Sequence, residues 1–346
     1  MDVTRRRKIL TSIDDNVVAS KTTFGKAFKE VKKVGLSLRP NESKTLTKLN
    51  VKGKPEIAPK KQKEAVDCEL PKVASLALFK NAVSSKSYIN IDCFDDGQKF
   101  LLYTERCRAI PPIFLENKII SGKMRAILFD WMLQVQDRFN LEHDTLHLGY
   151  MMVDRCLRTM DIKKDKLQLL GATCLFIATK YEEVSIPHIT DFVYLAASAF
   201  TKRDIMAMER KVFQAVNFNM GFAYPIHFLR RYRYALQNKD DTHDLSKCFL
   251  DLFMSIYELA NKLPSIMAQV SLYISYFVSG KKLPAEVYSL MAITEKELKK
   301  ECTDFVDHIL IFCTTPKETT LHRKYRLIKP RLSESQHELL KTLKLH

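Results

Sequence analysis

The sequence predicts an all-α fold, and three observations carry that prediction. Apolar residues recur at three- and four-residue spacings in one segment after another, which is the period of a helix face. Strand-like alternation is nearly absent, and the chain holds only nine glycines. The first 80 residues are polar and punctuated by Pro40, Pro55, Pro59 and Pro71 in a chain that is 46% hydrophobic overall, so the helices must gather behind a tail.

That tail cannot bury enough apolar area to offset chain entropy, and residues 1–85 are expected to be disordered. The 19 Lys and Arg against 9 Asp and Glu in its first 80 residues supply +10 of the formal net charge of +16. Arg5-Arg6-Arg7-Lys8 and Lys60-Lys61-Gln62-Lys63 are candidate nuclear import signals, each against the plainer reading of a solvated charge run. The eight cysteines are scattered without metal-ligand spacing, and no apolar leader opens the chain, so reduced thiols in nucleus or cytoplasm are expected. No apolar run approaches the roughly 20 residues of a bilayer span. The protein is expected to be soluble.

A helical pattern runs from Ile91 to Cys107, and Pro111-Pro112 breaks the chain before the central helix, Lys123 to Phe139. There Met124, Ile127, Leu128, Trp131 and Val135 share one face, Ser121 is the expected N-cap and Asn140 the stop. Arg125 and Asp130 interrupt this apolar helix and must find partners or water. A second helix runs from Asp144 or Thr145 through Met160. The third, Lys166 to Tyr181, is the most apolar, and Gly171 and Ala172 suit it to a central position. Pro187 starts a fourth helix, and Thr201 caps a fifth with Ile205, Met208 and Val212 inward. Past Phe218 and Pro225 the scheme repeats: Ser265 to Ile274 echoes the third helix, and Leu283-Pro284 the proline-started fourth. From Thr314 the chain turns polar, and residues 316–346 are expected to be a loosely attached extension.

Three runs in register carry a family resemblance: Met124 to Trp131; Leu167 to Gly171 leading to Ala178 through Glu183; and Met208-Glu209 through Phe213 to Phe218. In order and spacing they resemble the cyclin box of mitotic cyclins. Gln134 and His227 through Tyr232 lean towards the B type, and Leu141 to Leu146 with Lys163-Lys164-Asp165 is similar to the third B-type subgroup. The resemblance implies two tandem cyclin-box bundles, at 91–221 and 222–315. It also implies a regulatory subunit of a mitotic cyclin-dependent kinase, with no catalytic residue, cofactor or metal of its own.

Residue by residue, the resemblance makes Lys180 and Glu209 the pair that bonds the backbone of the movable kinase helix, with Tyr181, Ile177, Phe213 and Phe218 as apolar partners. It makes Met124, Ile127, Leu128, Trp131, Gln134, Leu167 and Gln168 a partly exposed patch that docks Arg-x-Leu segments of substrates or inhibitors. Gln134 stands where A-type relatives have glutamate, which weakens attraction for the Arg. Arg125 and Asp154 become a structural ion pair, and the helix at Ile91 to Cys107 a further kinase contact. Arg7, Leu10 and Ile13 resemble the destruction box read by the ubiquitin ligase of mitotic exit. Thr315-Pro316 is the single proline-directed phosphorylation candidate.

Two other readings compete with this one. A cyclin-fold nucleic-acid-binding transcription factor would suit the net charge, but its cysteine-paired zinc ribbon is missing and the charge lies in the tail. His143-Asp144-Thr145-Leu146-His147 superficially resembles the zincin His-Glu-x-x-His, but Asp replaces the base and no third ligand follows. Two surface histidines are the reading preferred there, and neither membrane nor nucleic-acid contact is expected.

Overall fold

The computed structural model describes residues 91–236, 242–315, 318–328 and 332–345. The destruction-box residues Arg7, Leu10 and Ile13, both basic clusters and Pro316 lie outside the described residues. Those described form helices and no strand. A leading helix, α1 (Ile91–Cys107), precedes a first bundle of α2 (Gly122–Phe139), α3 (His143–Thr159), α4 (Leu167–Glu182), α5 (Ile189–Leu195) and α6 (Lys202–Ala215). A second bundle follows: α7 (Pro225–Leu236), α8 (Thr242–Ser255), α9 (Pro264–Val278), α10 (Ala285–Met291) and α11 (Glu295–Thr314). Two short helices, α12 (Thr320–Lys324) and α13 (Glu334–Thr342), close the chain.

The helix ends follow local chemistry. Ser121 accepts a hydrogen bond from the Met124 backbone, and Asn140 ends α2 in the left-handed conformation. Thr201 and Asp204 form a reciprocal capping box at α6, whose buried face is Ile205, Met208 and Val212. Each bundle wraps a near-continuously apolar helix, α4 in the first and α9 in the second. Gly171 explains how α2 approaches α4: a Cβ there would stand 2.6 Å from Leu128 Cδ1. The close approach requires the missing side chain.

Arg125 joins the two bundles. Its Nε and Nη2 donate to the two carboxylate oxygens of Asp154 at 2.6 and 2.7 Å. Nη1 and Nη2 also reach the carbonyls of Ser255 and Met254, each at 3.1 Å, at the C-terminal end of α8. The last carbonyls of a helix have no partner within it, so a first-repeat cation satisfies a second-repeat helix end. The side chain is 1% exposed and lies 4.0 Å over the Phe129 ring. Burial pushes the Asp154 carboxyl up, and Arg125 is the counterweight.

Helix α1 is held at three places. Arg231 of α7 donates to the Phe94 carbonyl and stacks 4.0 Å over its ring. Arg155 of α3 donates to the Arg108 carbonyl just past the helix end, at 2.7 Å. Glu105 accepts from Ser265 N at 2.8 Å and Ser265 Oγ at 2.7 Å, placing a carboxylate at the N-terminus of α9. Burial raises the Glu105 carboxyl to about 7 in spite of those two bonds.

The C-terminal residues correct one expectation. They pack instead of hanging loose: Leu321, Tyr325, Leu340 and Leu343 are buried. Gln336 Nε2 donates to the Val278 carbonyl at 2.8 Å. Asp251 of α8 accepts from Lys324 Nζ at 2.8 Å and Tyr325 OH at 2.7 Å, and His147 Nε2 lies 3.1 Å from its other oxygen. Burial works against charge on Asp251, but Lys324 and the flanking histidines outweigh it and hold the carboxyl well below its usual range.

His143 and His147 are likewise not surface histidines. Their shared face turns inward against α8 and the C-terminal segment, so His147 is fully buried. His143 Nε2 meets Tyr325 OH at 3.0 Å, and burial lowers its pKa to about 3. Among the described residues no group of three or more His, Cys, Asp or Glu could hold a metal ion. No described helix is long and apolar enough to cross a membrane.

Candidate partner-binding site

Lys180 sits in the last turn of α4 and Glu209 midway along α6, and packing of those helices brings the two heads into a salt bridge. The Lys180 ammonium also lies 4.7 Å from the centre of the Phe176 ring. Neither head is sequestered: the side chains are 36% and 19% exposed. Around them Tyr181 and Phe218 are exposed, Phe213 is half-buried and Ile177 is buried. Ile177 therefore supports the surface from beneath.

The backbone holds Phe218 outward. Asn217 and Phe218 both have left-handed φ, 52° and 55°, a costly conformation for an aromatic residue. The Phe218 N–H donates to the Phe213 carbonyl at 2.8 Å, and the two rings stack at 5.9 Å. On the other flank, Tyr224 OH donates to Glu182 at 2.8 Å, and Thr145 Oγ1 donates to Glu183 at 2.6 Å. The acidic pair after Tyr181 thus fixes the end of α4. The end of α4 and the middle of α6 present an aromatic and charged surface of the composition that protein-docking surfaces have.

Several exposed apolar residues escaped the sequence reading. Val184 and Ile186 follow Glu183, Met206 stands one turn before Glu209, and Phe100 and Tyr103 project from α1. Apolar residues inside the polar run Glu-Glu-Val-Ser-Ile were the available signal.

The expected docking patch differs from its description. Met124, Leu128, Trp131 and Leu167 are buried, and only Ile127, Gln134 and Gln168 are half-exposed. The apolar stripe fills the core beside Gly171, so the accessible row of α2 is the next one round: Ile127, Asp130 and Gln134. The Gln134 amide donates to Asp130 Oδ2 at 2.8 Å and to Thr320 Oγ1 of α12 at 3.3 Å.

Two five-helix bundles, each around an apolar central helix, with a helix-end surface on the first, define the class, and comparison with known proteins gives the family. Residues 98–221 match the cyclin N-terminal domain and residues 223–339 the cyclin C-terminal domain. The chain belongs to the cyclin family.

Within it the likeness is to mitotic B-type members. The chain is 38% identical over 235 residues to a G2/mitotic-specific cyclin-B of Patella vulgata, covering 68% of this chain and 57% of that one. It is 41% identical over 197 residues to the G2/mitotic-specific cyclin-B of Drosophila melanogaster, covering 56% and 36%. The aligned region spans about half the length of the curated relatives it matches. A crystal structure of a viral cyclin from herpesvirus saimiri shares the fold, with a TM-score of 0.53 at 17% identity over 63% of this chain and 95% of that one.

Proposed function

We propose that this chain is the activating regulatory subunit of a cyclin-dependent protein kinase of the mitotic or meiotic cell cycle, and that it also recruits substrates. The observation that carries this reading is the Lys180–Glu209 pair, open to solvent among Tyr181, Phe213 and Phe218. Phosphoryl transfer by a protein kinase requires its lysine paired with the glutamate of a movable helix. A partner that binds only the swung-in helix shifts the kinase population to the active state. Lys180 supplies donors and Glu209 acceptors for that helix's backbone, and the flanking rings supply apolar contact. The activator holds no reacting atom; it binds and orients.

The test is a pull-down of the kinase catalytic subunit from mitotic cells with the Lys180→Ala, Glu209→Ala double variant, followed by a histone kinase assay. Binding and associated activity are expected to be lost while thermal melting is unchanged. Retained binding would remove the assignment. In the same reading, the chain acts in the nucleus, and Arg7 and Leu10 direct its turnover at mitotic exit. An Arg7→Ala, Leu10→Ala variant should then persist beyond mitosis, and unaltered decay would dispose of that signal.

A further inference from the structure

Beside the candidate partner surface three arginines gather, with no carboxylate bonded to them among the described residues. Arg108, just past α1, and Arg155 of α3 lie over the same ring, their guanidinium carbons 5.4 and 4.6 Å from the centre of Phe222. Arg158 is exposed about one turn further along α3. Arg155 Nη2 donates to the Arg108 carbonyl at 2.7 Å, whereas Arg155 Nε and Arg108 Nη1 are buried atoms with no hydrogen-bond partner. Buried donors are satisfied as a rule, so two such cations on one ring call for a reason.

The isolated fold does not supply one. Burial, then the charges of Arg108 and Arg158, lower the Arg155 pKa to about 10. Burial lowers that of Arg108 as well, and the groups opposing it are Cys107, Tyr181 and Tyr224, with no carboxylate among them. Like charges held together work against the fold unless a function favours their closeness. Position supplies that function. Phe222 lies four residues past the outward-held Phe218, and a Cβ on the intervening Gly221 would stand 3.7 Å from Arg108 Nη1. Tyr181 belongs to the surface around Lys180, and Tyr224 bonds the adjacent Glu182. The arginines therefore continue that surface.

We infer that Arg108 and Arg155 form an anion-binding site and that its occupant is a carboxylate or phosphate group carried by the kinase subunit. This rests on the proposed function and adds a second point of recognition to it. A guanidinium lying on an aromatic ring is fixed in orientation and presents paired donors, which suits the two oxygens of either group. Removing such a charge-assisted bond lowers affinity about tenfold. The uncompensated charge also draws the partner in, so added salt weakens capture.

The experiment measures binding of the full chain to the cyclin-dependent kinase subunit isolated from mitotic cells, at low and at physiological salt, before and after phosphatase treatment of the kinase. The chain is tested as wild type, Arg108→Gln, Arg108→Lys and the Lys180→Ala, Glu209→Ala double variant, each with its melting temperature. Arg108→Gln should bind about tenfold more weakly with a flatter salt dependence, and melt no lower than wild type because a like charge has gone. Arg108→Lys should keep the salt dependence and lose about threefold. A phosphatase effect on wild type that disappears in Arg108→Gln identifies the anion as phosphate, and an Arg108→Gln loss that treatment leaves unchanged identifies it as carboxylate. Arg108→Gln binding within about twofold of wild type, with the Lys180 and Glu209 variant unable to bind, overturns the arginine site and leaves the proposed function standing. Binding lost in step with melting temperature in both Arg108 variants overturns it too, since Arg108 is then a fastening of α1. Wild type that fails to bind, or binding indifferent to every variant, overturns the proposed function and this inference with it.

Discussion

Two cation–carboxylate pairs of the first repeat have the same charges and opposite settings. Arg125 and Asp154 are buried and bidentate, with the spare guanidinium donors on carbonyls of the second repeat. Lys180, at the end of α4, and Glu209, midway along α6, share a single contact and remain open to solvent. A buried charge with its partner removed is stranded in a poor solvent, whereas an exposed one recovers water. The first pair therefore belongs to the architecture, and the second is available for exchange with a partner.

The largest effect that separates the two should come from Arg125→Ala. It leaves Asp154 and two helix-end carbonyls without donors, and chemical denaturation should show a loss of about 3–5 kcal/mol. A loss under about 1 kcal/mol would end the distinction, because exposed pairs already cost that much.

A second buried carboxylate sharpens the point through pH. Glu105 has its pKa raised to about 7 in the folded chain, above its unfolded value of 4.5, so the folded state holds more protons between those limits. Stability should fall as pH rises from about 4.5 to about 7, by up to roughly 3 kcal/mol, and stay level above. Glu105→Gln should flatten that slope in urea titrations taken across the range. A slope that the substitution leaves intact would assign it to other groups.

Tyr325→Phe removes one bond to the buried Asp251 and the contact with His143, but leaves Lys324 and His147 on the carboxylate. The expected loss is smaller, about 1.5–3 kcal/mol by denaturant midpoint, the range for a hydrogen bond to a charged group. A variant as stable as wild type would mean that the C-terminal segment does not depend on that bond.

Least of all should the Lys180→Ala, Glu209→Ala double variant disturb the fold. Its melting curve should shift by under about 1 kcal/mol while kinase capture is lost, a separation the Arg125 variant cannot give. Equal damage to stability and capture would show the surface pair to be structural after all.

Much of the helical scheme was legible because its signals are local. Ile91 to Cys107, the caps at Ser121 and Thr201 and the inward triad of α6 depend on residues within a turn or two of one another. What escaped depends on distance along the chain. The bonds from Arg125 to Met254 and Ser255 span 129 and 130 positions, and no periodicity reports them. The burial of His147 and Trp131 has the same origin, since a stripe at helical spacing reads alike whether core or groove faces it. Helices of five and nine residues at the C-terminus carry too few turns to display a face, so their packing was invisible.

At the other site, the family resemblance singled out Lys180, Glu209 and their aromatic neighbours, where composition and periodicity alone would have left solvated charges. Pattern could not reach the left-handed turn that holds Phe218 outward, because aromatic residues seldom adopt that conformation and no glycine marks it.

The crossing of Arg125 from α2 to the end of α8 has a practical consequence for anyone wishing to study half of this molecule. Severed near Ala223, the front half would carry a guanidinium with two of its acceptors gone, and the rear half a frayed helix whose final carbonyls face nothing. Neither fragment is a miniature of the whole, because the same cut would also part Glu105 from Ser265 and His147 from Asp251.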